Sequence, residues 1–164
     1  MNSQLTEPVV LTIDSDPLSL ASIRAALDCQ GYKVHTAQDV DSALKIARQV
    51  SLDLIISELN VAGSCGIELV LLIRKLPNCT DVPVMFASAN QAPDVIRRTH
   101  DFGAAYHIKK PFDPIVLTEL VQRAMWMPHL VHNHLNQVSR PYMPFGIGKS
   151  HGPFFPSPLP TTNH

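Results

Sequence analysis

The chain has 164 residues, of which 45% are apolar and 16% charged, and its formal net charge is −1 at pH 7. This length and composition suit one packed domain with an additional segment, and the near-neutral charge argues against broad attraction to nucleic acid or anionic membranes. The three cysteines are widely spaced, so buried thiols are expected rather than a disulfide framework or a zinc site. No apolar run is long enough to span a bilayer and no signal peptide is recognisable, which favours a cytoplasmic protein.

The chain opens with a predicted strand and helix. Val9–Ile13 is a run of mostly β-branched and aliphatic residues, typical of a buried strand. Asp16 suits the N-cap of a helix and Pro17 its first position, so a helix is expected from Pro17 to about residue 30. Gly31 follows, where the left-handed conformation that ends many helices favours glycine.

Two more units of this kind follow. The predicted strands are Tyr32–Thr36 and Leu54–Ser57, and the predicted helices are Asp39–Val50 and Gly66–Leu76. The third strand is apolar on both sides, which favours a strand covered on both faces. The third helix is expected to bury a set of residues at helical spacing, namely Leu69, Leu72, Ile73 and Leu76.

The remaining predicted elements complete a regular alternation. The strands are Val82–Ala87 and Ala105–Ile108, and the helices are Ala92–Phe102 and Pro114–Trp126, the last with Asp113 as its cap. Five strands each followed by a helix predict an α/β fold, with a parallel sheet, right-handed crossovers and helices on both faces.

The composition changes after Trp126. Residues 128–164 contain seven of the 14 prolines, five of the eight histidines and no acidic residue. We therefore assign residues 8–127 to the domain and residues 128–164 to an extended, largely disordered tail. The histidines at 129, 132 and 134 are a weak candidate for a metal site, because no cysteine or carboxylate of the tail joins them.

Four polar residues follow closely after predicted strands. Asp14 follows the first strand, Glu58 the third, Ser88 the fourth and Lys110 the fifth. The carboxyl ends of parallel strands meet at one edge of the sheet, where open α/β sheets bind their ligands. These four side chains are therefore expected to form one polar cleft.

From Val9 to about Met125, roughly 70% of its length, the chain resembles the response-regulator receiver domains of two-component signalling. The motifs that carry the resemblance are Ile13–Pro17, Asp53–Leu59, Val82–Ala89, Gly103–Ala105 and Lys110–Phe112. The resemblance implies a CheY-like, flavodoxin-like (βα)5 sandwich with strand order 2-1-3-4-5.

The resemblance also implies a mechanism. In the family an aspartate after the third strand accepts a phosphoryl group, and Mg²⁺ held by acids after strands one and three neutralises the developing charge. Glu58 stands at the acceptor position, and Ser88 and Lys110 stand where the phosphoryl oxygens are contacted. Ser88 and His107 stand at the positions of the hydroxyl and the aromatic residue that switch.

The chain departs from the family pattern at several of these positions. Glu58 replaces the acceptor aspartate, and its extra methylene adds about 1.5 Å of reach, which disturbs in-line attack. Asp14, Ser15 and Asp16 are assigned to an acidic pocket, in which Ser15 replaces the second acid after strand one and is a weaker ligand for a hard cation. Asp16 could compensate for this loss, but it is expected to cap the first helix. Ala62 replaces a usual proline, and His107 replaces the switch aromatic.

These departures predict a pseudo-receiver that is not phosphorylated conventionally and is not an enzyme. Mg²⁺ is expected to bind weakly or not at all at the degenerate site formed by Asp14, Glu58 and Asn60, and no cofactor is expected. Glu58 either imitates phospho-aspartate by reaching toward Lys110 and Ser88, or is a relic in a degenerate site.

Output is expected through contacts with a histidine kinase, another response regulator or an effector, with a homodimer through helix four, strand five and helix five as a further expectation. Nucleic acid and membranes are not expected partners. A working receiver that passes phosphate through Glu58 or a nearby residue stays open. A flavin-binding protein is disfavoured, because the acidic Asp14–Pro17 loop would repel phosphate. His107 is either a pH switch or an accommodated substitute for an aromatic ring.

Overall fold

The computed structural model describes residues 6–126, in which short strands alternate with helices. The strands are β1 (Val9–Ile13), β2 (Lys33–Ala37), β3 (Leu54–Ser57), β4 (Asn60–Val61), β5 (Ser64–Cys65), β6 (Val84–Ser88) and β7 (Tyr106–Lys109). The helices are α1 (Pro17–Asp28), α2 (Val40–Gln49), α3 (Gly66–Arg74), α4 (Pro93–Phe102) and α5 (Pro114–Trp126). The predictions for the segment 128–164 lie outside the described residues.

Five strands form one parallel sheet in the order β2-β1-β3-β6-β7. Since β4 and β5 form a separate hairpin, β6 and β7 are the fourth and fifth strands of the sheet, and the predicted order 2-1-3-4-5 is confirmed. Ile13 pairs with Ser57 and Ser88 pairs with Lys109, so these strands end close to the same edge. That register places Asp14, Glu58 and Lys110 along one edge of the sheet.

The core has two layers because side chains alternate across each strand. Leu11 and Ile13 of β1 pack with α2 and α3 on one face, and Val10 packs with α1 and α5 on the other. All four residues of β3 are buried, as predicted for the central strand. None of the helices within residues 6–126 is long and apolar enough to cross a bilayer.

Two predictions about burial are wrong. Leu72 of α3 is 43% exposed, and Val70 is buried in its place, because the inward face of α3 is centred on Leu69, Val70 and Ile73. Of the three thiols, Cys79 alone is buried; Cys29 is exposed because it lies at the C-terminal end of α1.

The β4–β5 hairpin was not predicted. Its two-residue turn consists of Ala62 and Gly63, with φ angles of 51° and 86°. Positive φ at both central residues is the pattern of the type I′ turns that join tight hairpins. The sequence lacks the Asn-Gly or Asp-Gly pair that usually marks such a turn, and a proline at position 62 could not adopt this φ.

Candidate functional site: an ion-paired acidic pocket

The lysine that follows β7 lies between two carboxylates at the carboxyl edge of the sheet. The Lys110 Nζ atom is 2.6 Å from Glu58 Oε2 and also contacts Asp14 Oδ2. The side chains of Lys110, Asp14 and Glu58 are only 17%, 4% and 14% exposed. The sequence therefore predicted correctly that these three residues meet, and the pairing of Glu58 with Lys110 is observed.

Backbone N–H groups hold the second oxygen of each carboxylate. Asp14 Oδ1 accepts a hydrogen bond from the N–H of Asp16 at 2.9 Å, and Glu58 Oε1 accepts one from the N–H of Leu59 at 2.7 Å. Each carboxylate thus has one oxygen on the backbone and one on Lys110. Two negative charges face one positive charge, which leaves the trio with a formal charge of about −1.

These contacts determine the protonation of Lys110. Burial disfavours its charged form, but the hydrogen bonds and charges of Asp14 and Glu58 outweigh that effect and raise the pKa of Lys110 above its ordinary value of 10.5. The ammonium is therefore a fixed positive charge in the pocket across the physiological range.

The two residues after Asp14 are exposed and do not join the ion pairs of this trio. Ser15 is exposed, and the Asp16 side chain accepts the N–H of Leu18 at 3.0 Å as the N-cap of α1, as predicted. Asp16 is thus occupied as a helix cap, and the side chain at position 15 is a neutral hydroxyl in solvent. Asp14 and Glu58 supply the negative charge that pairs with Lys110, and Asp16 lines a neighbouring cavity of about 270 Å³ that Lys110 also lines.

Ser88 and His107 are connected through a side chain that the sequence did not single out. The Ser88 hydroxyl accepts the N–H of Asn90 at 3.2 Å, and the Ser88 carbonyl accepts the Gln91 amide at 2.9 Å. The same Gln91 Nε2 lies 3.0 Å from His107 Nε2, and Thr99 Oγ1 lies 3.2 Å from His107 Nδ1. No sequence pattern marks Gln91 or Thr99, because the contacts depend on how α4 packs against β7.

The hydrogen bonds determine the tautomer of His107. Thr99 Oγ1 donates its proton to the Ile96 carbonyl at 2.7 Å, so it is available only as an acceptor for the imidazole. His107 Nδ1 is then the protonated nitrogen, and Nε2 accepts from the Gln91 amide. Burial lowers the pKa of His107, and the nearby charge of Glu58 opposes this only in part.

The neutral His107 predicts a pH dependence of stability. Since its folded-state pKa lies below the unfolded value of 6.5, its contribution is complete above pH 6.5 and is lost as the pH falls through the folded-state pKa. Urea unfolding between about pH 5 and pH 7 should show a steeper loss of stability toward acid for the wild type than for His107→Phe. Equal slopes for the two proteins would contradict the assignment, and imidazole ¹⁵N shifts would report the tautomer directly.

A small cavity lies beside the carboxylate of Glu58. It has a volume of about 210 Å³ and is lined by Glu58, Asn60, Ser88 and Asn90, with Arg98 of α4 on its wall. The structure thus brings Ser88 and Asn60 to the same cavity as Glu58, as the sequence predicted. Arg98 was missed, since its position depends on the orientation of α4.

Together the fold and the site define a doubly wound α/β domain with an acidic, lysine-containing pocket at the carboxyl edge of its sheet. Residues 10–122 match the family model described as the response regulator receiver domain. The chain belongs to this family and is a receiver domain of the two-component response-regulator type.

Similar proteins agree with this placement. The transcriptional regulatory protein PrrA of Mycobacterium tuberculosis is 36% identical over 123 residues, which are 75% of this chain and 51% of PrrA. The two-component response regulator ORR8 of Oryza sativa subsp. japonica is 28% identical over 108 residues, covering 65% of this chain and 89% of ORR8. The chain spans about half the length of PrrA.

A solved structure confirms the fold. The chemotaxis protein CheY4 of Vibrio cholerae, crystallised at low pH, superimposes with a TM-score of 0.68 at 28% sequence identity, covering 73% of this chain and 99% of CheY4. The CheY-like, flavodoxin-like architecture expected from the sequence is therefore confirmed for the described residues.

Proposed function

We propose that this receiver domain is a pseudo-receiver, which is not phosphorylated in the conventional way and acts through protein contacts. The observation that carries the proposal is the 2.6 Å ion pair between Glu58 and Lys110. Glu58 stands at the acceptor position, and its longer side chain brings a negative charge to the lysine that contacts phosphoryl oxygens in the family. This charge imitates phospho-aspartate only in part, because a phosphoryl group carries up to two negative charges.

The residues present do not fit a tight magnesium site. The inward oxygens of Asp14 and Glu58 both contact the Lys110 ammonium, and their outward oxygens accept backbone N–H groups. Ser15 is neutral and exposed, and Asn60 uses its side-chain oxygen to accept the N–H of Gly63 at 3.0 Å. Weak or absent Mg²⁺ binding is therefore part of the proposal.

Beryllofluoride or a small phosphodonor, each with Mg²⁺, tests the proposal. We expect no covalent mass increase on the wild type and no Mg²⁺-dependent binding of beryllofluoride, because the carboxylate at position 58 is displaced and the second acid is missing. The double variant Ser15→Asp with Glu58→Asp restores the family pattern and is the matched positive control. A phosphoryl group on wild-type Glu58 would overturn the proposal.

The competing function is a working receiver in a phosphorelay. It is favoured by the presence of both Ser88 and Lys110 at the pocket, and by the names of relatives such as ORR8, a two-component response regulator. The phosphotransfer experiment separates the two functions, since only the working receiver gains a phosphoryl group from its donor.

The partners we propose are a histidine kinase, another response regulator or an effector. The α4–β7–α5 face is the proposed contact or dimer surface, supported by the exposed apolar side chains Ile96 on α4 and Val116 on α5. PrrA is named a transcriptional regulatory protein, and this chain corresponds to about half of it. We therefore propose that the domain receives the signal in a regulatory function of this kind.

A further inference from the structure

A cavity formed by residues within 6–126 lies at the opposite edge of the sheet from Lys110. It has a volume of about 620 Å³ and lies at the amino ends of the strands, between the residues that precede β1, β2, β3 and β6 and the end of α5. The apolar part of its wall includes Leu52, Val82 and Met125. The ion-paired pocket around Lys110 and the proposed function make no use of this cavity.

The polar lining of this cavity is acidic. Asp53 and Asp81 are exposed carboxylates on its wall, and no lysine or arginine is among the lining residues within the described part of the chain. Asp53 uses one oxygen, Oδ2, to accept the N–H of Val9 at 2.7 Å. An occupant of this cavity should therefore combine apolar groups with positive charge.

The chain itself leaves the described structure at this cavity. Trp126 ends α5, lines the cavity and is 81% exposed, an unusual state for a side chain with so large an apolar area. Residues 127–164 therefore start at the rim of this cavity, whose wall has apolar side chains and two carboxylates.

The sequence beyond Trp126 has the complementary chemistry. Residues 127–164 contain no aspartate or glutamate, and their two permanent positive charges are Arg140 and Lys149. These cations flank a stretch that carries Tyr142, Phe145 and Ile147. The other aromatic stretch, residues 154–160, has no charged residue and therefore no positive charge to complement the carboxylates of the cavity.

We propose that residues 140–149 bind this cavity within the same molecule. The aromatic residues of the segment would cover Trp126 and the apolar wall, and Arg140 and Lys149 would approach Asp53 and Asp81. By random-coil statistics, a linker as long as residues 127–139 spans about 20 Å, which suffices for a segment that starts at the cavity rim. Such tethering supplies an effective concentration in the millimolar range, so even a weak contact is populated.

Trp126 is the only tryptophan of the chain and reports on the proposed contact. In the full chain we expect the emission of Trp126 to be blue-shifted. Acrylamide should quench this emission about threefold less than it does in the double variant Arg140→Glu with Lys149→Glu. Because the contact is intramolecular, neither result should depend on protein concentration. Phe145→Ser should give the same loss of protection. Phe154→Ser with Phe155→Ser is the matched control and should leave the emission unchanged.

Three results would overturn the proposal. One is that acrylamide quenches the emission of wild-type Trp126 as strongly as that of a fully exposed tryptophan. Another is that Trp126 stays protected from acrylamide in the variants at positions 140, 145 and 149. The third is protection that disappears on dilution, which would assign the cavity to a second copy of the chain. Raising the salt concentration should weaken the contact, because Arg140 and Lys149 are proposed to approach Asp53 and Asp81.

Discussion

Replacing Lys110 with methionine is expected to lower the free energy of unfolding by about 3–5 kcal/mol at neutral pH, the cost typical of removing one partner from a buried ion pair. Methionine keeps most of the volume of the side chain, so the loss comes from charge rather than from a cavity. Without the ammonium, the carboxylates of Asp14 and Glu58 face each other in a pocket where both are less than 15% exposed. Urea unfolding followed by circular dichroism measures the effect.

The neighbouring lysine provides the control. Lys109 is exposed, so Lys109→Met should change the free energy of unfolding by no more than about 0.5 kcal/mol. Because the folded state raises the pKa of Lys110, its stabilisation is complete below the ordinary value of 10.5 and is lost as the pH rises through the higher folded-state pKa. The difference between wild type and Lys110→Met should therefore shrink above pH 10.5. A Lys110→Met variant as stable as Lys109→Met would refute the ion-paired pocket.

Gly66→Ala is expected to destabilise the protein by roughly 2–3 kcal/mol, the upper part of the range for overpacking. A Cβ atom at position 66 would lie 2.0 Å from the carbonyl oxygen of Glu58 and 3.1 Å from the Cα atom of Leu59. Both neighbours are backbone atoms, which cannot rotate away. The start of α3 or the segment that carries Glu58 must move, so the Glu58–Lys110 contact should weaken as well.

Ser64→Ala is the matched control for this substitution. Ser64 is exposed and lies two residues before Gly66, so its hydroxyl can be removed with little effect on the free energy of unfolding. Thermal unfolding compares the two variants directly. If Gly66→Ala were as stable as Ser64→Ala, the close packing of α3 against the Glu58 backbone would be wrong.

Most of the fold could be predicted because its signals are local. The apolar runs of β1 and β3, the Asp16–Pro17 helix start and the left-handed Gly31 depend on neighbours along the chain, and the structure confirms each of them. The β4–β5 hairpin was missed because its turn uses Ala62 at a positive φ, which alanine adopts rarely. Leu72 was misplaced because helical spacing alone does not fix the centre of the buried face.

The residues of the candidate site also fall into two groups, those that the sequence could predict and those that it could not. Asp14, Glu58, Ser88 and Lys110 could be grouped from their positions after strands, since the parallel order brings those ends together. Gln91, Thr99 and Arg98 could not, because they lie in or next to α4 and their contacts depend on its rotation and on its distance from β7. No repeat or motif in the sequence encodes that packing.

The amino-acid sequence by itself determined the order of strands and helices, the family resemblance and the presence of Glu58 at the acceptor position. Each of these depends only on residue types and on their spacing along the chain. The tertiary structure alone decided which oxygen of each carboxylate meets Lys110, which nitrogen of His107 carries the proton, and that an acidic cavity opens beside Trp126. The physical reason is that hydrogen bonds and ion pairs depend on distances of a few tenths of an ångström between residues far apart in the chain. Such distances are fixed only when the helices have packed on the sheet.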